Sequence, residues 1–201
     1  MVRTLPLFAF ILMMAAPVYA EESVIKTDNP HITKASEQAV EIAKSFSEQE
    51  IGNLEIIKDG FGIIRSVKAT DEIVGKTVKR CGKDNPDMKA DMNAAYDTWK
   101  SNVTKVLDVK EKSLKAAIND GRFSKPKDVQ SFLDTIDKAA QFAQDRMDAE
   151  KKIISTPSSC EGLKLKMDET YTQISELLTA VDFPVAELKP ETAPRKAGEH
   201  E

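Results

Sequence analysis

The chain has 201 residues, of which 31% are charged and 41% hydrophobic, and its formal net charge at pH 7 is −4. Acidic and basic residues alternate along it, and no block of like charge is long enough to indicate a tail that binds nucleic acid or a membrane surface. This composition argues against a nucleic-acid partner and is typical of a single globular domain with its own core.

Residues 1–20 have the layout of a cleaved secretory signal. Arg3 precedes an apolar run from Leu5 to Ala16, Pro17 interrupts that run, and small residues follow up to position 20. The run is too short for a membrane-spanning helix, although a retained N-terminal anchor is the alternative. We therefore expect a mature chain that begins at Glu21, is periplasmic or secreted, and has no transmembrane segment after cleavage.

An extended entry segment, residues 21–33, is expected to precede a helical region that covers residues 34–182. In that region apolar residues recur every three or four positions, which is typical of amphipathic helices. No stretch shows the sustained apolar–polar alternation of a strand, so the sequence predicts an all-α fold. Residues 183–201 are polar and contain three prolines, and we expect a disordered tail there.

Glycine and proline residues divide the helical region into four long helices. The first extends from about residue 34 to Cys81, and a glycine in a helix interior costs about 1 kcal/mol, so we expect this helix to be extended or broken near Gly52. The others cover about 85–121, 125–157 and 159–181. Short connections between long helices predict an up-down-up-down bundle.

The bundle topology makes a prediction about the two cysteines. Cys81 ends the first helix and Cys160 lies in the first turn of the fourth, so both should reach the same end of the bundle. In an oxidising compartment two such cysteines are more often bonded than free, although two separate buried thiols are the alternative. The sequence therefore predicts a disulfide between Cys81 and Cys160.

Catalytic motifs are hard to find in this chain. Its only two histidines, His31 and His200, lie outside the predicted bundle, which removes the commonest general base. The cysteines form no Cys-x-x-Cys unit, and no glycine-rich phosphate loop is present. We therefore predict a protein that is not an enzyme and has no cofactor.

Three methionines have side chains that could bind a soft metal ion. In the predicted bundle Met92, Met147 and Met167 fall in nearly the same layer, and thioethers are soft ligands that suit Cu(I). Core packing explains the same residues more simply, because methionine fills irregular gaps. The sequence thus predicts no metal site, while a carrier of soft metal (copper) or of small hydrophobic ligands remains the alternative function.

The length of the first predicted helix suggests a partner. Its roughly 48 residues would extend about 72 Å, whereas the roughly 23 residues of the fourth would extend about 35 Å. Part of the first helix must overhang, fold back as a separate helix, or pair with another chain. An overhanging apolar stripe would be a partner-binding surface, formed by Ala35, Ala39, Ile42 and Phe46.

The function predicted from these observations is that of an exported, non-enzymatic helical-bundle protein. It would act through macromolecular interaction, or as an accessory factor of the cell envelope. A protein partner is expected, the sequence does not identify it, and a homo-oligomer is compatible with the same features.

Overall fold

The computed structural model of the protein describes residues 27–150 and 153–183. Within those ranges the chain is helical and has no β-strand, which confirms the all-α prediction for this part of the chain. The five α-helices are α1 Pro30–Ser45, α2 Glu48–Asp84, α3 Lys89–Asn119, α4 Pro126–Glu150 and α5 Pro157–Ala180, with a 3-10 turn at Pro86–Met88. The predicted signal sequence, residues 21–26 of the entry segment and residues 184–201 of the predicted tail lie outside the described residues.

The first predicted helix is divided into α1 and α2, and the division lies before Gly52. Phe46 is extended, with φ −100° and ψ 149°, and Ser47 caps the start of α2. Ser47 and Glu50 form a capping box, in which each side chain bonds the backbone N–H of the other residue. Because the capping box satisfies the first N–H groups of a new helix, the chain breaks there, and Gly52 lies inside α2.

α1 is a separate helix that folds back and packs along α4, so it neither overhangs the bundle nor continues α2. It begins at Pro30, four residues earlier than predicted, because the Asn29 side chain accepts from the His31 backbone N–H and caps the helix. The Asn29 Nδ2 atom also donates to the backbone carbonyl of Ala139, 2.9 Å away on α4. The four-helix arrangement is therefore corrected to five helices, with no overhanging arm.

Successive helices run in opposite directions between two ends of the molecule. At one end, here called the lower end, the rings of Phe46 and Phe123 lie with centroids 6.0 Å apart. At the other, Cys81 and Cys160 lie at disulfide distance, with Cα atoms 5.9 Å apart, as predicted. α2, α3 and α5 pack against one another, whereas α4 packs chiefly on α1 and also touches α2 and α3.

The core is built from apolar residues of α2, α3, α4 and α5 and extends one residue beyond the predicted helical region. Trp99 of α3 belongs to this core and is 2% exposed. Phe183, the first residue of the predicted tail, is instead buried against Gly60 of α2, because a glycine there leaves room for its ring. Among the described helices, none combines the length and the apolarity needed to cross a membrane.

Candidate functional site

A groove of about 580 Å³ lies between α2, α3 and α4. Its apolar floor comes from α2 and α3, whose side chains also belong to the core or pack against it. The floor residues are Phe61, Ile64, Leu114 and Ile118. We call this cavity the α2–α3–α4 groove.

The groove exists because α4 turns a polar face toward α2 and α3. The four α4 residues that line it are Gln130, Asp134, Asp137 and Gln141. Their spacing of four, three and four residues places them on one side of the helix. Carboxylates and amides cannot interdigitate with an apolar floor without losing their hydration, so α4 is held away from the floor.

Arg65 connects α2 to this polar face of α4. The residue is only 8% exposed, and its Nε atom forms an ion pair with Asp137 Oδ1 at 2.6 Å. Its Nη2 atom donates to Gln141 Oε1 at 2.8 Å. Burying a guanidinium is costly unless it is paired, so these two α4 side chains fix the distance between the helices at this level.

The rim of the groove carries charges of both signs. Lys68 of α2 forms an ion pair with Glu111 of α3 across the floor. The other charged rim residues are all exposed, namely Glu72, Asp108, Lys112, Lys115 and Asp134. Such side chains are hydrated and free to form new ion pairs at a small cost, which suits recognition of a partner more than covalent chemistry.

A second polar cluster lies between α2 and α3. The Tyr96 hydroxyl donates to Asp71 Oδ1 at 2.7 Å, and Lys100 Nζ lies 3.1 Å from Asp71 Oδ2. The pKa of Tyr96 is raised, chiefly by burial and also by the hydrogen bond to Asp71. The pKa of Lys100 is raised chiefly by its bond to Asp71. Both shifts favour the protonated forms, so neither group is prepared to act as a base.

Two of the three methionines of the predicted layer lie in the core. Met92 and Met167 are buried in the core, 0% and 3% exposed, whereas Met147 on α4 is half-buried and outside that core. α4 packs on α1 instead of closing on α5, which explains the difference. Among residues 27–150 and 153–183, no group of three or more His, Cys, Asp and Glu side chains is placed to hold a metal ion.

The predicted partner-binding stripe is distributed between core and surface. Ile42 and Phe46 are buried, 6% and 7% exposed, so they do not form a free apolar face. Ala35 is half-buried and Ala39 exposed beside α4. His31 lies edge-on to Phe142, with ring centroids 6.4 Å apart, while His200 lies outside the described residues.

Comparisons with protein-family models, with curated proteins and with solved structures found no match. What the groove can do therefore follows from its own chemistry. An apolar floor can hold an anchoring side chain, and a rim with both signs of charge can pair with flanking charges on a bound segment. Sequence patterns did not reveal the groove, because Arg65 and Gln141 are 76 residues apart and nothing local connects them.

Proposed function

We propose that this is an exported, non-enzymatic helical protein that acts by binding another protein, as an interaction partner or an accessory factor of the cell envelope. Export is supported by the signal-like layout of residues 1–20 and by two cysteines at disulfide distance, a pair that is typical of oxidising compartments. The α2–α3–α4 groove is the proposed binding surface, and it is the observation that carries the proposal.

The chemistry of the groove favours one class of occupant. Its floor is apolar, and its rim offers charges of both signs on α2 and α3 and carboxylates on α4, such as Lys115 of α3 opposite Asp134 of α4. A polyanion would meet five carboxylates and only three lysines in the lining, so nucleic acid fits poorly. The groove suits a polypeptide segment that carries an apolar anchor side chain between an acidic and a basic residue.

The proposal is tested by capture followed by measurement of affinity. The immobilised oxidised protein is incubated with envelope extract of its own source, and a retained protein is purified and titrated by calorimetry. Charge reversal at the rim, Lys112→Glu with Lys115→Glu, should weaken that affinity at least tenfold, because both lysines are exposed and line the groove.

A matched control comes from the same helix. Lys105 is an exposed lysine of α3 that does not line the groove, so Lys105→Glu should leave the affinity within about twofold of the wild type. Equal weakening by both changes would indicate a general charge effect and contradict the groove assignment. Failure to retain any protein would contradict the interaction role itself.

The alternative function is that of a carrier of soft metal (copper) or of a small hydrophobic ligand. In its favour, Met92 and Met167 are both buried on the neighbouring helices α3 and α5. The half-buried position of Met147 weakens it, because a Cu(I) site needs thioethers that converge. Titration of the purified protein with Cu(I) tests this alternative.

A further inference from the structure

α4 is attached to the rest of the protein in two different ways along its length. Its buried apolar side chains all lie in its first two turns, at Val129, Phe132 and Leu133, which are 0%, 7% and 0% exposed. Ile136 is half-buried and still packs against the core, but from Asp134 onward the fully buried side chains are those of Thr135 and Gln144, both polar. The lower part of α4, up to Ile136, is thus fixed by apolar packing, whereas the upper part, over residues 137–149, has no fully buried apolar side chain.

The upper part of α4 is held to α2 by polar contacts. Arg65 pairs with Asp137 at 2.6 Å and bonds Gln141 at 2.8 Å, and Lys76 Nζ lies 2.5 Å from Asp148. In the last pair, the Lys76 side chain is 49% exposed and that of Asp148 is 31% exposed, so water competes with the ion pair for both groups. Arg65 is the one buried member of this set, so removing its counter-charge should cost more than breaking the exposed pair.

α1 shares this asymmetry and is attached to α4. Ile42, its one buried apolar residue, lies near its lower end, close to the buried Phe46. Its upper end is bonded to α4, through the Asn29 amide and an ion pair between Asp28 and Arg146. A movement of the upper part of α4 would therefore carry α1 with it.

The connections at both ends of α4 permit such a movement. Phe46 and Ser47 separate α1 from α2 in an extended conformation, and α3 ends before Gly121, whose φ of 91° places it in the left-handed region. At the other end, residues 153–156 are non-helical before α5 begins. The described residues of all three junctions are non-helical, so α1 and α4 can tilt as a pair about their lower end without bending a helix.

We propose that α1 and α4 form a hinged arm, whose upper part swings away from α2 and α3 while its lower part stays fixed. The apolar cluster around Phe46, Phe123 and Leu133 is the fixed end, and the pairing of Arg65 with Asp137 and Gln141 is the latch. Opening hydrates the Arg65 guanidinium and uncovers the apolar floor of the groove at Ile64. The opening is a property of the isolated chain and does not depend on the proposed partner.

Hydrogen exchange of the full-length oxidised protein, resolved by peptide mass spectrometry, tests the hinged arm. Once detached from α2 and α3, helical segments as short as α1 and residues 137–149 are only marginally stable in water, so opening lets their own hydrogen bonds break. Amides of α1 and of residues 137–149 should therefore exchange together, at least tenfold faster than those of α5 and with a weaker dependence on urea. Amides near Val129 should stay as protected as the core. Exchange of the arm and of α5 at one common rate, through global unfolding alone, would overturn the proposal.

Two variants on one face of α4 test whether the contacts of Arg65 with Asp137 and Gln141 hold the arm closed. Asp137→Ala leaves the buried Arg65 without its counter-charge, and only opening of the arm rehydrates that group, so exchange in the arm should rise at least tenfold while α5 is unchanged. Asp134→Ala removes a carboxylate that accepts from Gln130 of its own helix, and the exchange rate should stay within about twofold. Equal acceleration of all five helices by Asp137→Ala would show a general structural role and overturn the latch.

Discussion

The carboxylate of Glu50 accepts a hydrogen bond from the backbone N–H of Ser124, 2.6 Å away and 74 residues further along the chain. The same carboxylate accepts from the backbone N–H and the hydroxyl of Ser47, each at 2.8 Å. One side chain thus caps the start of α2 and holds the α3–α4 connection against it. These bonds, first that from the Ser124 backbone and then that from Ser47, lower the pKa of Glu50 to about 2.

Glu50 should make stability depend on acid pH. Its pKa is lower in the folded chain than the ordinary value of 4.5, so the stabilisation is complete above that value and is lost as pH falls toward about 2. At neutral pH Glu50→Gln should lower the free energy of unfolding by about 1 kcal/mol. The difference from the wild type should shrink over the same acid range, as measured by urea unfolding followed by circular dichroism.

Glu48→Gln is the control, because Glu48 occupies the same first turn of α2 and the structure shows no bond from it to Ser124. It should lose only the interaction of a carboxylate with the helix N-terminus, about 0.3–1 kcal/mol at low salt. Equal losses for Glu48→Gln and Glu50→Gln at every pH would mean that the bond to the α3–α4 connection contributes nothing.

Loss of the disulfide should lower stability without unfolding the helices. The bond joins residues 79 apart, and a loop of that length gives roughly 4 kcal/mol on the loop-entropy model. Replacing Cys81 and Cys160 together by alanine should keep the far-ultraviolet helical signal and lower the melting temperature. A peptide map of the oxidised protein that shows two free thiols would contradict the pairing.

The pairing of Cys81 with Cys160 could be predicted because it depends on features that a sequence displays. Apolar spacing locates helices, and short connections fix their alternating directions, so two cysteines at helix ends can be assigned to one end of the molecule. The division of the first helix was also encoded locally, in the capping box of Ser47 and Glu50. The prediction placed it near Gly52, because it gave weight to the cost of glycine and none to the gain of a cap.

The position of α1 and the groove could not be predicted in the same way. Whether Ile42 and Phe46 overhang or pack depends on the surface that α4 offers them, and no local pattern specifies that surface. Arg65 and Asp137 each look like an ordinary charged residue on a helix, and only their juxtaposition in the fold makes one the counter-charge of the other. Long-range pairing of polar residues carries no periodic signal.

Methionine substitutions should distinguish packing from metal binding. Met92→Leu nearly preserves volume at a fully buried position, so it should cost less than about 1.5 kcal/mol in the free energy of unfolding. Met147→Leu should cost less still, because Met147 is only half-buried. We expect neither change to affect Cu(I) uptake in a chelator-competition titration, and a large loss of tight copper binding on either would favour the carrier function.

Two glycines of α2 should respond in opposite ways to the same substitution. Gly62 has open space around it, with nothing within 4 Å of an added Cβ, so Gly62→Ala should raise the free energy of unfolding by up to about 1 kcal/mol. At Gly60 the added Cβ would lie 2.5 Å from Phe183 Cε1 and 3.0 Å from Val181 Cγ1. Gly60→Ala should expel the Phe183 ring, whose burial is worth about 1.5–3 kcal/mol, and give a net loss of roughly 1 kcal/mol.

Thermal melts of a double-mutant cycle show whether Phe183 is the cause. Phe183→Ala removes the ring that an alanine at position 60 would meet, so the cost of Gly60→Ala should fall to zero or become a gain in that background. The remaining contact with Val181 needs a shift of only a few tenths of an ångström. If Gly60→Ala costs the same with and without Phe183, the strain lies in the packing of α2 itself, and Phe183 does not close the core at this point.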